Sequence, residues 1–205
     1  MPRRFALILL LLLLSAAGPM PARAQAADSV TARSVFALLP ESIFENTPEG
    51  LDAAGKQQLL NEGRSEFWEL AGETEDTLVF ASLPLRDTAV ALRLFRNTAD
   101  GSVEAALGTL GGPICTLELW RVDKAGRAVL ADTPEEPDVD EFFARGRKMP
   151  PDVRATVMLC LGLGGLKAEP QFWTGTGMAH VPLDNDVSYQ WTGRTFEKQV
   201  RPHVE

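Results

Sequence analysis

Thr88-Ala89-Val90-Ala91-Leu92-Arg93-Leu94-Phe95-Arg96 decides the fold class of this 205-residue chain. Val90, Leu92 and Leu94 recur at every second residue, the period of a strand with one buried face. Thr77 to Leu83 before this stretch reads as a strand. So do Val103 to Leu110, Cys115 to Asp123 and Ala128 to Ala131 after it. Asp100-Gly101, Gly111-Gly112-Pro113 and Lys124-Ala125-Gly126 lie between them and are turn chemistry. Connectors this short force antiparallel neighbours, so the pattern predicts a β-meander.

Within the meander, Leu92-Arg93-Leu94-Phe95-Arg96 and Leu117-Glu118-Leu119-Trp120-Arg121 align without a gap, and the same offset sets Gly101 on Gly126. A duplicated recognition hairpin is one reading. The simpler one is two hairpins obeying the same rules of alternation, aromatic packing and glycine turns. Leu92, Leu94, Leu117 and Leu119 are expected to share one core with Val157, Leu159 and Leu161.

Towards the N-terminus, Ala32 to Leu39 has helical spacing, with Val35, Leu38 and Leu39 on one face and Pro40 as the stop. Glu41 to Gly50 reads as a connector. Leu51 to Leu60 reads as an amphipathic helix with Leu51, Leu59 and Leu60 inward and Lys56, Gln57 and Gln58 solvated. It is open to extension towards Trp68 across Gly63. Towards the C-terminus, Asp138 and Glu141 are spaced as a capping box for a further helix. Val153 to Leu163 is apolar enough for a central buried strand. Lys167 to Trp173 and Val187 to Lys198 read as strands, and Val200 to Glu205 as a loose tail. The expected fold class is α+β: N-terminal helices packed on an antiparallel β-meander, with one further helix and C-terminal strands. Residues 27–205 would form a single domain.

Residues 1–26 have the grammar of a secretory signal: Arg3 and Arg4, an apolar run from Phe5 to Leu14, then Ala22-Arg23-Ala24 and Ala24-Gln25-Ala26. The run is about half the roughly 20 residues a membrane-spanning helix needs. The expected location is therefore periplasmic or extracellular, with no stable membrane insertion after signal removal. Cleavage would remove three arginines and no acid, moving the formal charge from −8 to about −11. That sign argues against nucleic acid, which needs a basic face. Export also permits a disulfide, and Cys115 and Cys160 are the two cysteines. Buried free thiols are the alternative.

Few residues offer catalysis. His180 and His203 are the two histidines, too few for a histidine-rich metal site. The chain has no G-x-S-x-G elbow. Gly162-Leu163-Gly164-Gly165 lacks the Rossmann and Walker spacings, so no nucleotide or other cofactor is expected. Asp132, Glu135, Glu136, Asp138, Asp140 and Glu141 have enough carboxylates for calcium but not the calcium-loop pattern, and read as a solvated loop. Asp184-Asn185-Asp186 reads as a turn. The aromatics remain. Trp173 and Trp191 adjoin glycine-bearing turns, and with Tyr189 they are the candidate binding residues.

Leu38-Leu39-Pro40 soon after the signal, a helix, the alternating meander, and the strand Gly112-Pro113-Ile114-Cys115-Thr116-Leu117-Glu118-Leu119-Trp120 together carry a resemblance. The chain resembles a family of small exported bacterial proteins with no assigned activity or catalytic residues. The resemblance implies a compartment and a fold only. The residues favour a non-enzymatic module that binds a protein, peptide or envelope component. The alternatives are a hydrolase using a carboxylate pair, or a structural or assembly factor.

Overall fold

The alternating stretches pair into two antiparallel sheets. The computed structural model describes residues 30–110, 114–162 and 164–203. The signal-like residues 1–26 lie outside these. The elements in chain order are α1 (Ala32–Leu38), a 3₁₀ turn (Ser42–Asn46) and α2 (Ala53–Glu62). Then come β1 (Trp68–Glu73), β2 (Thr77–Ser82), β3 (Ala89–Arg96), β4 (Val103–Leu110), β5 (Leu117–Val122) and β6 (Ala128–Ala131). A second 3₁₀ turn (Val139–Phe142) precedes β7 (Arg154–Leu161), β8 (Gly165–Thr174), β9 (Gly177–Ala179), β10 (Asn185–Trp191) and β11 (Phe196–Pro202).

β1 to β6 form a six-stranded meander in sequence order, and β11-β10-β8-β7 form a second sheet, with β9 paired to β8. This corrects the α+β expectation. The fold is mainly β, with eleven strands in two antiparallel sheets, two α-helices and 15% helix among the described residues. The further helix at Asp138 is a four-residue 3₁₀ turn. Its capping box does form, with the Asp138 N–H donating to Glu141 Oε1 at 3.1 Å, but the chain is already extended at Phe143 (φ −114°, ψ 151°) and turns left-handed at Gly146 (φ +89°), so no helix grows from it.

The first sheet buries both faces. On one side, Val90, Leu92 and Leu94 of β3 and Ala105 and Leu107 of β4 pack against Val35 and Phe36 of α1, and Ile43 and Phe44 of the first 3₁₀ turn. On the other, Ala91, Phe95, Ala106 and Leu119 meet Leu159, Leu161, Leu166, Ala168, Val187 and Tyr189 of the second sheet. Strand pairing explains the split. Leu92 lies opposite Leu107, which lies opposite Glu118, so Leu117 and Leu119 point away from Leu92 and Leu94. The two halves of the apparent repeat therefore face opposite sides, and their leucines belong to two cores rather than one.

Other expectations change for physical reasons. Leu38 is exposed, while Glu41 to Gly50 supplies Ile43 and Phe44, both fully buried. Lys56 is buried, because its ammonium donates to the Leu39 carbonyl left free at the end of α1 and pairs with Glu41 at 3.2 Å. α2 stops at Gly63 in left-handed conformation, and Trp68 begins a strand instead. β7 is an edge strand, not a central one. The 200–202 tail continues β11 in register with β10. A disulfide joins Cys115, just before β5, to Cys160 of β7, with Cα atoms 5.6 Å apart, and so ties the two sheets together. Among the described residues no helix is long and apolar enough to cross a membrane.

Candidate functional site

The cross-sheet core opens at one end into a cleft of about 410 Å³ between β5–β6 and the β10–β11 turn. Its floor is built from the pleat. Glu104 of β4 lies opposite Arg121 of β5, which lies opposite Val129 of β6, so all three project towards the second sheet. The Glu104 side chain is 5% exposed, and Arg121 Nε donates to its Oε1 at 2.6 Å. A buried carboxylate needs such a partner, because desolvating an unpaired charge costs several kcal/mol. Arg121 itself stays 59% exposed at the rim.

The opposite wall is aromatic. Trp191 ends β10 and Phe196 begins β11, with ring centroids 5.0 Å apart, and Phe95 lies 4.9 Å from Phe196. Trp191 Nε1 donates to the Arg96 carbonyl at 3.0 Å, which fixes the indole. The turn between the strands is held by Thr98 N–H donating to Gly193 O at 2.9 Å. Gly193 has φ +93°, and a Cβ there would come within 3.1 Å of Thr98 Oγ1, so glycine suits the position on both counts. Arg194 follows at the cleft mouth and makes no ion pair with a described residue. The third wall is Asp132 to Pro134. Just beyond it, the buried Tyr189 donates its hydroxyl to the Glu135 carbonyl and so straps this segment to β10. Burial pushes the Tyr189 phenol above its ordinary pKa, which keeps it a donor.

The three candidate aromatics thus occupy three settings. Trp191 lines the cleft and is half-buried. Tyr189 is buried behind it as a strap. Trp173 lies apart, on the outer face of the second sheet between Arg154 of β7 and Met178 of β9, and is 37% exposed. The structure does not bring Trp173 to the other two. Sequence reasoning missed Glu104, Arg121, Arg194 and Phe196 as a group. The one signal was Glu104, a lone charge in the apolar run from Val103 to Leu110.

Of the histidines, His180 is exposed between β9 and β10. His203 is tied down, its N–H donating to Asp184 O at 2.8 Å and its Nδ1 lying 3.0 Å from Asp186 Oδ1. Both border a cleft of about 280 Å³ over Phe172 and Val181. Within the acidic segment 132–141, Glu141 pairs with Lys198 at 2.8 Å. Among the described residues no three of His, Cys, Asp and Glu are grouped to hold a metal ion. Gly162 and Gly165 close the β7–β8 hairpin, with Gly162 N–H donating to Gly165 O at 2.9 Å. A Cβ on Gly165 would overlap the Tyr189 carbonyl of β10.

A larger depression of about 520 Å³ lies over the N-terminus of α2, bordered by Glu45, Glu49, Asp52 and Glu66. Asp52 is engaged there as the helix cap, its Oδ1 accepting from Gly55 N–H at 2.7 Å. No family model, curated protein or solved structure matches the chain.

Proposed function

We propose that this chain is an exported, non-enzymatic binding module, akin to the exported family it resembles, and that it docks its partner at the cleft between β5–β6 and the β10–β11 turn. The observation that carries the reading is the meeting of accessible apolar and cationic groups on a pre-set floor. Val129 of β6 is 61% exposed beside the cleft, next to Arg121, Arg194 and the locked Trp191–Phe196 pair, and Leu130, 65% exposed, continues the apolar strand on its other face. Exposed apolar side chains rimmed by charge on a rigid scaffold are a recurrent docking surface. The Cys115–Cys160 bond supports the exported compartment, because structural disulfides persist where the surroundings are oxidising. So does the signal grammar of residues 1–26.

Capture from the envelope fraction by the tagged chain tests the reading. A partner should be retained by the parent and by Trp173→Ala, and lost with Val129→Asp. Capture unchanged by Val129→Asp, or capture of nothing at all, would remove the cleft from consideration.

A further inference from the structure

Besides the three-residue β9, which pairs only with β8, four edge strands bound the two sheets, and three of them are defended. Along β1, the chain just before it occupies the outer backbone: Leu70 N–H donates to Gly63 O at 2.8 Å and Ser65 N–H to Trp68 O at 2.8 Å. β1 also carries a bulge between Leu70 and Gly72, and Glu73 is held bidentately by Arg33 at 2.6 and 2.8 Å. β7 is pinned through Cys160 to the approach to β5. β11 bears Glu197, Lys198, Arg201 and Pro202. Charge, proline, bulges and covering chain are the usual devices that keep edges from pairing with other strands.

β6 has none of these. Ala128-Val129-Leu130-Ala131 holds no charge, proline or glycine, and it pairs with β5 in unbroken register. Among the described residues no backbone hydrogen bond reaches its outer side. Its two large side chains are its most exposed. An edge left open beside a built cleft is the arrangement of β-strand addition, in which main-chain bonds supply affinity and side-chain pockets supply selection.

The pleat sets what an added strand must carry. Val129 and Ala131 lie opposite Arg121 and Leu119 and so face the cleft, whereas Ala128 and Leu130 face the helix layer. A strand beside β6 continues this alternation. On the cleft side it meets Arg194, which has no ion pair with a described residue, and Arg121, which spends Nε and Nη2 on Glu104 and keeps Nη1. The cleft also holds two acids, Glu104, which is spent on Arg121, and Asp132 just after β6, so Arg194 is the main group left to complement a carboxylate. On the other side the strand meets Leu130 and Trp120, which suit an aliphatic side chain. Resting on the binding-module reading, we propose that β6 takes up an extended segment of a partner protein in which acidic residues, facing Arg194 and Arg121, alternate with aliphatic ones. A second copy pairing through its own β6 would bring only Ala128-Val129-Leu130-Ala131, with no carboxylate in the strand to meet Arg194, and is the poorer occupant.

The test uses an acetylated, amidated octapeptide of alternating valine and glutamate, followed by fluorescence anisotropy. The intact chain should bind it, and a twin N-methylated at alternate residues should bind about tenfold more weakly, because it cannot complete the main-chain ladder. A valine–lysine twin should also be weaker by about tenfold, and Arg194→Gln should weaken the glutamate peptide about fivefold. Leu130→Asp, at an exposed site, should abolish binding while circular dichroism stays unchanged. Equal binding of the peptide and its N-methylated twin, or indifference to Arg194→Gln, would overturn the proposal. So would a dimer seen by light scattering that Leu130→Asp dissolves, which would assign the edge to a second copy. If the envelope partner is captured through Val129 but the octapeptide neither binds nor competes, the strand-addition chemistry falls and the binding module stands. If no partner is captured, the module itself falls.

Discussion

The two faces of the first sheet are built from alternate residues of the same strands, yet they are closed in different ways. The helix face is sealed by large rings. Phe36, Phe44, Trp68 and Phe80 are 0–2% exposed, Phe44 meets Trp68 edge-on at 5.0 Å, and Phe36 lies 4.6 Å from Phe80. The cross-sheet face is small in the middle of the first sheet, at Ala91, Ala106 and Gly108, keeps its rings Phe95, Trp191 and Phe196 together at the cleft end, and is fastened at its margins by a disulfide, a hydroxyl strap and ion pairs. Large aromatic side chains fill space without help, whereas small ones bring two sheets close and leave an opening where they run out. The opening is where Glu104, Arg121 and Arg194 collect. One face supplies stability, and the other supplies a surface.

Breaking the sealed face should have the largest effect. Trp68→Ala removes a fully buried indole and its 2.7 Å donation to Gly50 O, and should cost about 3–5 kcal/mol in urea unfolding. A loss under about 1 kcal/mol would show that the helix layer is not the main source of stability. The fastened face comes next. Replacing Cys115 and Cys160 together by alanine releases a cross-link spanning 45 residues and should cost about 2–4 kcal/mol. The loss should be accompanied by faster amide exchange in β7 and β8, while β2 and β3 remain protected. Equal acceleration in both sheets would mean that the two faces unfold as one unit.

The same contrast explains what could be read from the chain. The strands β2 to β6 were legible because a period of two, broken by Asp100-Gly101 and Lys124-Ala125-Gly126, is a local signal. β1 was not, because Glu69, Gly72 and Glu73 dilute its alternation and Trp68 also fits a helical phase. Ile43 and Phe44 sit among Glu41, Glu45, Asn46 and Pro48, and a lone apolar pair in polar company reads as a connector. Lys56 carries a charge that says solvent, and only the free carbonyl of Leu39 explains its burial. The apolar run from Val153 to Leu163 suggested a central strand because sequence reports the burial of a strand and not its neighbours. β7 is covered by the first sheet and flanked on one side only, by β8. The cleft was illegible for a similar reason. Glu104, Arg121, Trp191 and Arg194 come from both sheets, so no spacing links them, and the repeat that drew notice to Arg121 proved to be out of phase across β4.

The smallest expected effect concerns the polar fastening of the cross-sheet face, and it depends on pH. Asp184 accepts from Ala144 N–H at 2.8 Å and from Arg147 Nη1 at 2.8 Å, tying the chain after the second 3₁₀ turn to the start of β10. The Ala144 hydrogen bond first, and the Arg147 guanidinium after it, hold its carboxyl below the ordinary carboxylate value. A pKa depressed by folding means that the ionised form is favoured in the native state. The contribution is then complete above the unfolded value of about 3.9, and it fades as the pH falls through the lower native value. Asp184→Asn should therefore lower Tm at pH 7 and make little difference near pH 2, where the parent's carboxyl is protonated as well. Thermal scans of both proteins across this range check the sign. A deficit that stays constant from pH 7 to pH 2 would show that the Asp184 charge contributes nothing. The fastening would then lie in the neutral geometry of the turn, and the cross-sheet face would resemble the sealed face more closely than its ion pairs suggest.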